Sequence, residues 1–235
     1  MKTTLLFLSF FFISSLFGQN VYIPDANFKA YLVGNTYINT NGDTEIQVSE
    51  ASAYEFPIQC QFQNISDLTG IEAFTSLTHL VCHNNSLTSL DLSQNTALKS
   101  LLCYSNQLTS LDLSQNTALQ ALNCNNNQLT CLNVANGNNL NFYYFGSDTN
   151  PNLNCIQVDD AAYSTANWTH IDPQMYFSED CNNDCSNTSS LTELSTSKNI
   201  IQILDMMGRE TNFKPNTPLI YVYNDGSTER VFTIE

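Results

Sequence analysis

From Leu77 onward, apolar and polar residues recur on a schedule of 21 positions. Leu77, Leu80, Cys82, Asn85, Leu87, Leu90 and Leu92 are answered by Leu98, Leu101, Cys103, Asn106, Leu108, Leu111 and Leu113, then by Leu119, Leu122, Cys124, Asn127, Leu129, Leu132 and Val134. Ile58, Cys60, Ile65 and Leu68 fit the same template if their copy has 22 residues, and a divergent copy starting at Leu140 recovers the pattern at Leu153, Ile156 and Val158 after about three inserted residues. A fixed period of this size predicts stacked units, because one unit cannot bury its apolar stripe alone and stacking makes the core continuous. Within each unit the Leu-x-Cys stretch predicts a short strand, paired in parallel with its neighbours about 4.8 Å away. Elsewhere the pattern changes. Residues 23–34 read as a short helix, with Asp25 as N-cap and Gly34 as terminator. Alternating apolar residues on either side of Asn224-Asp225-Gly226 predict a hairpin.

Leu-x-x-Leu-x-Cys-x-x-Asn-x-Leu is the leucine-rich-repeat pattern with Cys in one of the Leu slots, and the chain resembles the short, internalin-like bacterial variety whose second half reads Leu-x-x-Leu-Asp-Leu. The resemblance covers roughly residues 55–158 and implies about five coils. The expected fold is a β-rich leucine-rich-repeat solenoid of stacked parallel strands with little helix, a short helical N-terminal cap and a small C-terminal β appendage. Asn85, Asn106 and Asn127 form a ladder in which each amide satisfies backbone groups left unpaired at the bend. This also accounts for part of a high Asn content, 31 residues against only 8 Gly and 6 Pro.

Alternation along the strands puts Leu80 and Cys82 inside and His79, Val81 and His83 outside. The equivalent outward positions on later coils are Ser100, Leu102 and Tyr104, then Ala121, Asn123 and Asn125, then, for the first two slots, Phe142 and Tyr144. This strip of aromatic, amide, imidazole and aliphatic groups suits contact with a protein or a surface glycan better than catalysis. With 22 acidic and 7 basic residues the net charge is -15, which excludes binding of nucleic acid through phosphate neutralisation.

Two catalytic or metal readings are weak. His79 and His83 lie about 13 Å apart along a strand, and Cys82 points the other way, so the three cannot share one ion. Asp91 and Asp112 stack one period apart and raise the alternative of a carbohydrate-active enzyme, but both occupy template positions and Asn133 is the third member. A ligand-free spacer or adhesin stalk is a further alternative.

Residues 19–54 form the expected helical cap. Asn39, Asn41, Asp43, Glu45 and Glu50 resemble the spacing of an EF-hand or dockerin-type calcium loop, which implies a Ca²⁺ ligand set. The departures are Asn at the first position and Thr44 where Gly usually permits the sharp turn. Cys60, Cys82, Cys103 and Cys124 occupy one inward slot and are expected as buried free thiols. A Cys155–Cys181 bridge is expected to pin residues 159–185 over the open end of the core, while Cys131 and Cys185 stay unassigned.

Residues 1–18 have the layout of a secretory signal, with one lysine and a 13-residue apolar run too short to span a bilayer. The mature chain is then expected to start at Gln19, secreted or held at the cell surface, without a membrane span. Residues 186–197 read as a Ser/Thr/Asn linker. Residues 198–235, through Ile203-Leu-Asp-Met-Met-Gly208-Arg209 and the final strand pair, resemble the C-terminal sorting domain of type IX secretion substrates. That resemblance implies the type IX machinery as a partner. The tail is shorter than usual and lacks a Lys-rich end.

Overall fold

The computed structural model describes residues 18–182, 185, 200–204, 209–211, 219–223 and 228–231. The expected signal segment and linker lie outside these residues, apart from Gly18. The chain divides into two compact units, 1–187 and 188–235.

The first unit opens with helices α1 (Ala26–Val33) and α2 (Val48–Ala53). Strands follow in chain order: β1 (Ile58–Gln59), β2 (His79–Val81), β3 (Ser100–Leu102), β4 (Ser110–Asp112), β5 (Ala121–Asn123), β6 (Cys131–Asn133), β7 (Tyr144–Gly146), β8 (Cys155–Gln157) and β9 (Tyr176–Ser178). Helix α3 (Ala161–Asn167) lies between β8 and β9. The strands form two parallel sheets of order β1-β2-β3-β5-β7 and β4-β6-β8-β9. The register follows the repeat: Leu80 pairs with Leu101, Leu101 with Leu122 and Leu122 with Phe145. Leu77, Leu80, Leu87, Leu98, Leu101, Leu108, Leu119, Leu122 and Leu129 are fully buried. At roughly 1.5–3 kcal/mol per buried side chain, this spine supplies most of the driving force.

The bends are built from asparagine and from left-handed residues. Asn84, Ser105, Asn126 and Thr149 hold equivalent positions with φ of 54°, 55°, 53° and 59°. Asn tolerates this region best among residues with a side chain. After each bend an amide spans two coils. Asn106 donates to Cys82 O and Cys103 O and accepts from Leu87 N; Asn127 donates to Cys103 O and Cys124 O and accepts from Leu108 N. Asn85 makes the same contacts one coil earlier. Asn150 continues the ladder, donating to Cys124 O and Ser147 O.

A second amide ladder stabilises the opposite bend: Asn95 donates to Ile71 O and Phe74 O, and Asn116 to Leu92 O and Asn95 O. Its sequence signal is present in the repeated Ser-Gln-Asn-Thr, but the leucine template overlooks it. Asp91, Asp112 and Asn133 each accept the backbone N–H two residues on, from Ser93, Ser114 and Ala135. They are therefore turn-forming residues, and this hydrogen-bonding role is what the third, amide member can share with the two carboxylates.

The divergent coil differs in where its extra residues fall. Two of them lie between Val134 and Asn139, since Phe142 N bonds Asn139 O as Leu119 N bonds Asn116 O. Phe142, not Leu140, thus takes the leucine slot: Phe142 is buried and Leu140 is 66% exposed. The third inserted residue falls between Asn150 and Leu153, and the pattern resumes at Leu153, Ile156 and Val158, all buried.

Both ends are closed. Asp25 caps α1 through Asn27 N and Phe28 N, and its other oxygen accepts from Ser66 N and Oγ in the first coil. Glu50 accepts from Gln47 N, Thr40 N, Thr40 Oγ1 and Asn41 N. Burial pushes both carboxyls up, but these hydrogen bonds outweigh it and hold them below the usual carboxylate values. A depressed folded value stabilises the fold above the unfolded value near pH 4 and loses that contribution as pH falls through the folded value. Thermal melts from pH 6 to pH 2.5 are therefore expected to show a falling midpoint, with a smaller slope in Asp25→Asn than in the parent.

At the other end Trp168 stacks on Phe145 with centroids 4.2 Å apart, and touches Phe142 and Phe177 at 5.2 and 5.6 Å. Two disulfides hold this lid, Cys155–Cys181 and Cys131–Cys185. The segment expected as a simple cap also extends the solenoid: β9 pairs in parallel with β8, and His170 bridges Gly146.

The second unit is an antiparallel sheet of β10 (Ile200–Leu204), β11 (Leu219–Tyr223) and β12 (Thr228–Val231). The expected hairpin is β11 and β12; its turn and residues 205–208 lie outside the described residues.

Candidate functional site: the concave sheet

The outward residues of the five-stranded sheet form three columns. His79, Ser100, Ala121 and Tyr144 make the first, and Val81, Leu102, Asn123 and Gly146 the second. The third contains His83, Tyr104, Asn125 and Asp148, as the adjacent bonds Asn84 N to Tyr104 O, Ser105 N to Asn125 O and Asn126 N to Asp148 O require. His79, Val81, His83, Leu102, Tyr104, Asn123 and Asn125 are thus outward and half-buried, as the alternation predicts.

The divergent coil corrects the last pair. Phe142 is not on the concave face but under Trp168. Tyr144 stays on the face but shifts from the second column to the first, because the two inserted residues precede the strand. Gly146 takes the vacated place. A Cβ there would lie 2.9 Å from Asn125 Oδ1 and 3.1 Å from Tyr144 Oη, so only glycine lets both groups lie over this strand.

The third column is the most organised. The Phe62 ring meets His83 edge-on at 5.3 Å, and His83 stacks on Tyr104 at 4.1 Å with planes 10° apart. Asn84 Nδ2 lies 2.8 Å from His83 Nδ1. With the amide donating, the imidazole carries its proton on Nε2. Burial lowers the His83 pKa and favours this neutral form. Further along, Asn125 donates to Asp148 Oδ2 at 3.1 Å. Phe62, Asp148 and His170 were not among the expected residues. The first lies outside the strand alternation, the second is shifted by the insertions, and the third belongs to the segment expected only as a cap.

The calcium-like loop has a different geometry from its spacing. Asn39 is buried, donating to Val33 O and Asp43 O and accepting from Gly42 N. Asn41 and Gln47 direct amide N–H groups at Asp43, and Glu45 pairs with Lys29 at 2.6 Å. Both Glu50 oxygens face N–H donors. Among the described residues, Asp43, Glu45 and Glu50 do not join in any group of three or more acidic, His or Cys side chains placed to hold a metal. In this arrangement the loop is closed by its own hydrogen bonds.

Cys60, Cys82, Cys103 and Cys124 are buried free thiols. Burial pushes Cys60 and Cys103 up to about 12, and Cys82 and Cys124 well above the usual thiol value, which keeps them protonated and inert. Among the described residues no helix is long and apolar enough to cross a membrane.

Fold and repeat together define a leucine-rich-repeat solenoid protein whose repeats are internalin-like. Internalin J of Listeria monocytogenes serotype 4b (strain F2365) is 38% identical over 77 residues, 33% of this chain and 8% of that protein. The chain thus spans a small part of the length of the curated relative it matches. No family model matches. The functional domain of InlJ from Listeria monocytogenes, a solved structure that includes a cysteine ladder, is 34% identical, with 59% of this chain and 33% of that one covered at a TM-score of 0.49. The internalin InlF of the same species is 15% identical, with 63% and 55% covered and a TM-score of 0.46.

Proposed function

We propose that the protein is exported and recognises an extracellular protein noncovalently through its concave face, with no catalytic step. The observation that carries this reading is the Phe62–His83–Tyr104 aromatic column. His83 stacks on Tyr104 and the Phe62 ring, from the adjoining bend, packs edge-on against His83, beside uncharged Val81, Leu102 and Asn123, a composition that suits the desolvated centre of an interface. Phe62 adds a second argument. It is 66% exposed and has φ 58°, in the bend position that later coils give to Asn84, Ser105, Asn126 and Thr149. A bulky residue there costs on the order of 1 kcal/mol of backbone strain with little burial in return.

Export through residues 1–18 and sorting by the C-terminal sheet through the type IX machinery belong to the same reading. Surface glycan is the alternative ligand for the strip. The enzyme alternative finds Asp91 and Asp112 committed to their turns.

The test is capture from intact-cell surface extracts. Tyr104→Ala should reduce capture by about tenfold or more, as loss of a central aromatic anchor does. Phe62→Asn should weaken capture while stabilising the fold by roughly 1 kcal/mol, because strain is relieved. No capture by the parent would leave the spacer reading standing, and equal capture by parent and both variants would move the contact off this strip.

A further inference from the structure

The two-residue insertion of the divergent coil has a second product besides the shift of Tyr144. It carries Tyr143 outward, 73% exposed, beside Tyr144, Tyr163 and His170. These rings, with Asn167 and Trp168, line a pocket of about 320 Å³ between β7, α3 and the segment leading to His170. The three preceding coils carry Thr78, Lys99 and Gln120 at the equivalent position, so the solenoid does not need Tyr143. We propose that this pocket binds a neutral sugar unit of a glycan.

Three features of the pocket specify that chemistry. Its volume is at the small end for ligand pockets and suits one or two pyranose rings rather than a helix or strand. Its accessible aromatic groups are Tyr143, Tyr144 and Tyr163, with Phe142, Phe145 and Trp168 buried behind them, and the negative face of an aromatic ring attracts the C–H face of a pyranose. The Tyr144 wall is fixed by His170, whose ring lies 6.0 Å away at 27°. Its polar groups suit hydroxyls. Asn167 spends an N–H on Tyr163 O at 2.8 Å, which leaves its Oδ1 to accept, and the Tyr163 hydroxyl is anchored on Leu140 O at 3.4 Å while keeping acceptor capacity.

Charge separates neutral from anionic sugars. No Asp, Glu, Lys or Arg lines the pocket among the described residues, and the chain as a whole carries -15. A sialylated or sulfated sugar would meet a repulsive field with no cation to offset it.

This site does not depend on the strip binding protein, and the two are tested by different residues. Trp168 is the single tryptophan of the chain and lines the pocket, so its fluorescence reports occupancy directly. The full chain is titrated with chitotriose, cellotriose and mannotriose, with a sialylated and a sulfated trisaccharide, and with a Phe-containing tripeptide. A saturable Trp168 signal is expected for at least one neutral trisaccharide, about tenfold weaker in Tyr143→Ala and in Asn167→Ala. Tyr104→Ala should respond like the parent. Because Tyr143 is exposed, its variant should keep the parent's melting temperature. The proposal is overturned if no neutral trisaccharide gives saturation up to about 10 mM, if both pocket variants respond as the parent does, or if the anionic sugars or the peptide bind more tightly.

Discussion

Asn106→Ala is expected to lower the unfolding free energy by about 3–5 kcal/mol, read as a reduced midpoint in urea. The side chain is buried and serves three backbone groups, Cys82 O, Cys103 O and Leu87 N, at 3.0–3.1 Å. Leu87 N would be left in the core without a partner, at about 1–3 kcal/mol, while Cys82 O and Cys103 O would each lose one of two amide donors and keep Asn85 and Asn127, at about 0.5–1.5 kcal/mol apiece and not fully additive. Asn106→Asp separates the two functions of the amide: it keeps the acceptor for Leu87 N but faces two carbonyls with oxygen, and it should be at least as damaging. Gln107, next in sequence and exposed, is the control, and Gln107→Ala should move the midpoint by less than about 0.5 kcal/mol. Equal effects at 106 and 107 would mean that the ladder is not what holds the bends.

The second large effect is expected at the disulfide-held lid. Cys155 and Cys181 are 26 residues apart in sequence, and Cys131 and Cys185 are 54 apart. Loop closure in the unfolded chain then makes the bridges worth about 3.5 and 4 kcal/mol respectively. Cys155→Ser with Cys181→Ser should cost roughly that first amount and loosen the Trp168 stack, so that Trp168 emission shifts to the red before global unfolding. A thiol reagent discriminates the two cysteine populations. The native protein should show essentially no reaction, because the four free thiols are buried, whereas unfolding without reductant should expose those four alone. Eight reactive thiols in unreduced, unfolded protein would remove both bridges from the account.

The regular part of the molecule was legible because each repeat states the same physical requirement. A leucine at every equivalent position can be buried only by the leucine above and below it, so Leu80, Leu101 and Leu122 announce both the parallel register and the inward face. The Asn85–Asn106–Asn127 ladder was equally readable, since an amide repeated at one bend can serve backbone groups on two coils at once. The irregular coil was not. Leu140 looks like the next leucine of the series, yet two residues inserted after Val134 pass that role to Phe142 and send Leu140 to the surface. A shift of that kind is invisible to pattern matching, because which apolar residue enters the core depends on space left by Trp168, which lies far along the chain. The same shift moved Tyr144 by one column.

The calcium-like loop shows the opposite case: the donor types are present at the expected spacing, but spacing does not say where oxygens point. Buried Asn39 and the network from Gln47 turn them toward N–H groups.

From the sequence alone came the solenoid, its parallel strands, the inward cysteines, the first amide ladder and the outward character of seven concave residues, all consequences of a local period that acts through neighbouring coils. Only the tertiary structure decided the Cys131–Cys185 pairing, the continuation of both sheets through His170 and β9, and the contact of the Phe62 ring with His83. These rest on contacts between positions that no period relates, where the outcome depends on which side chains meet in space.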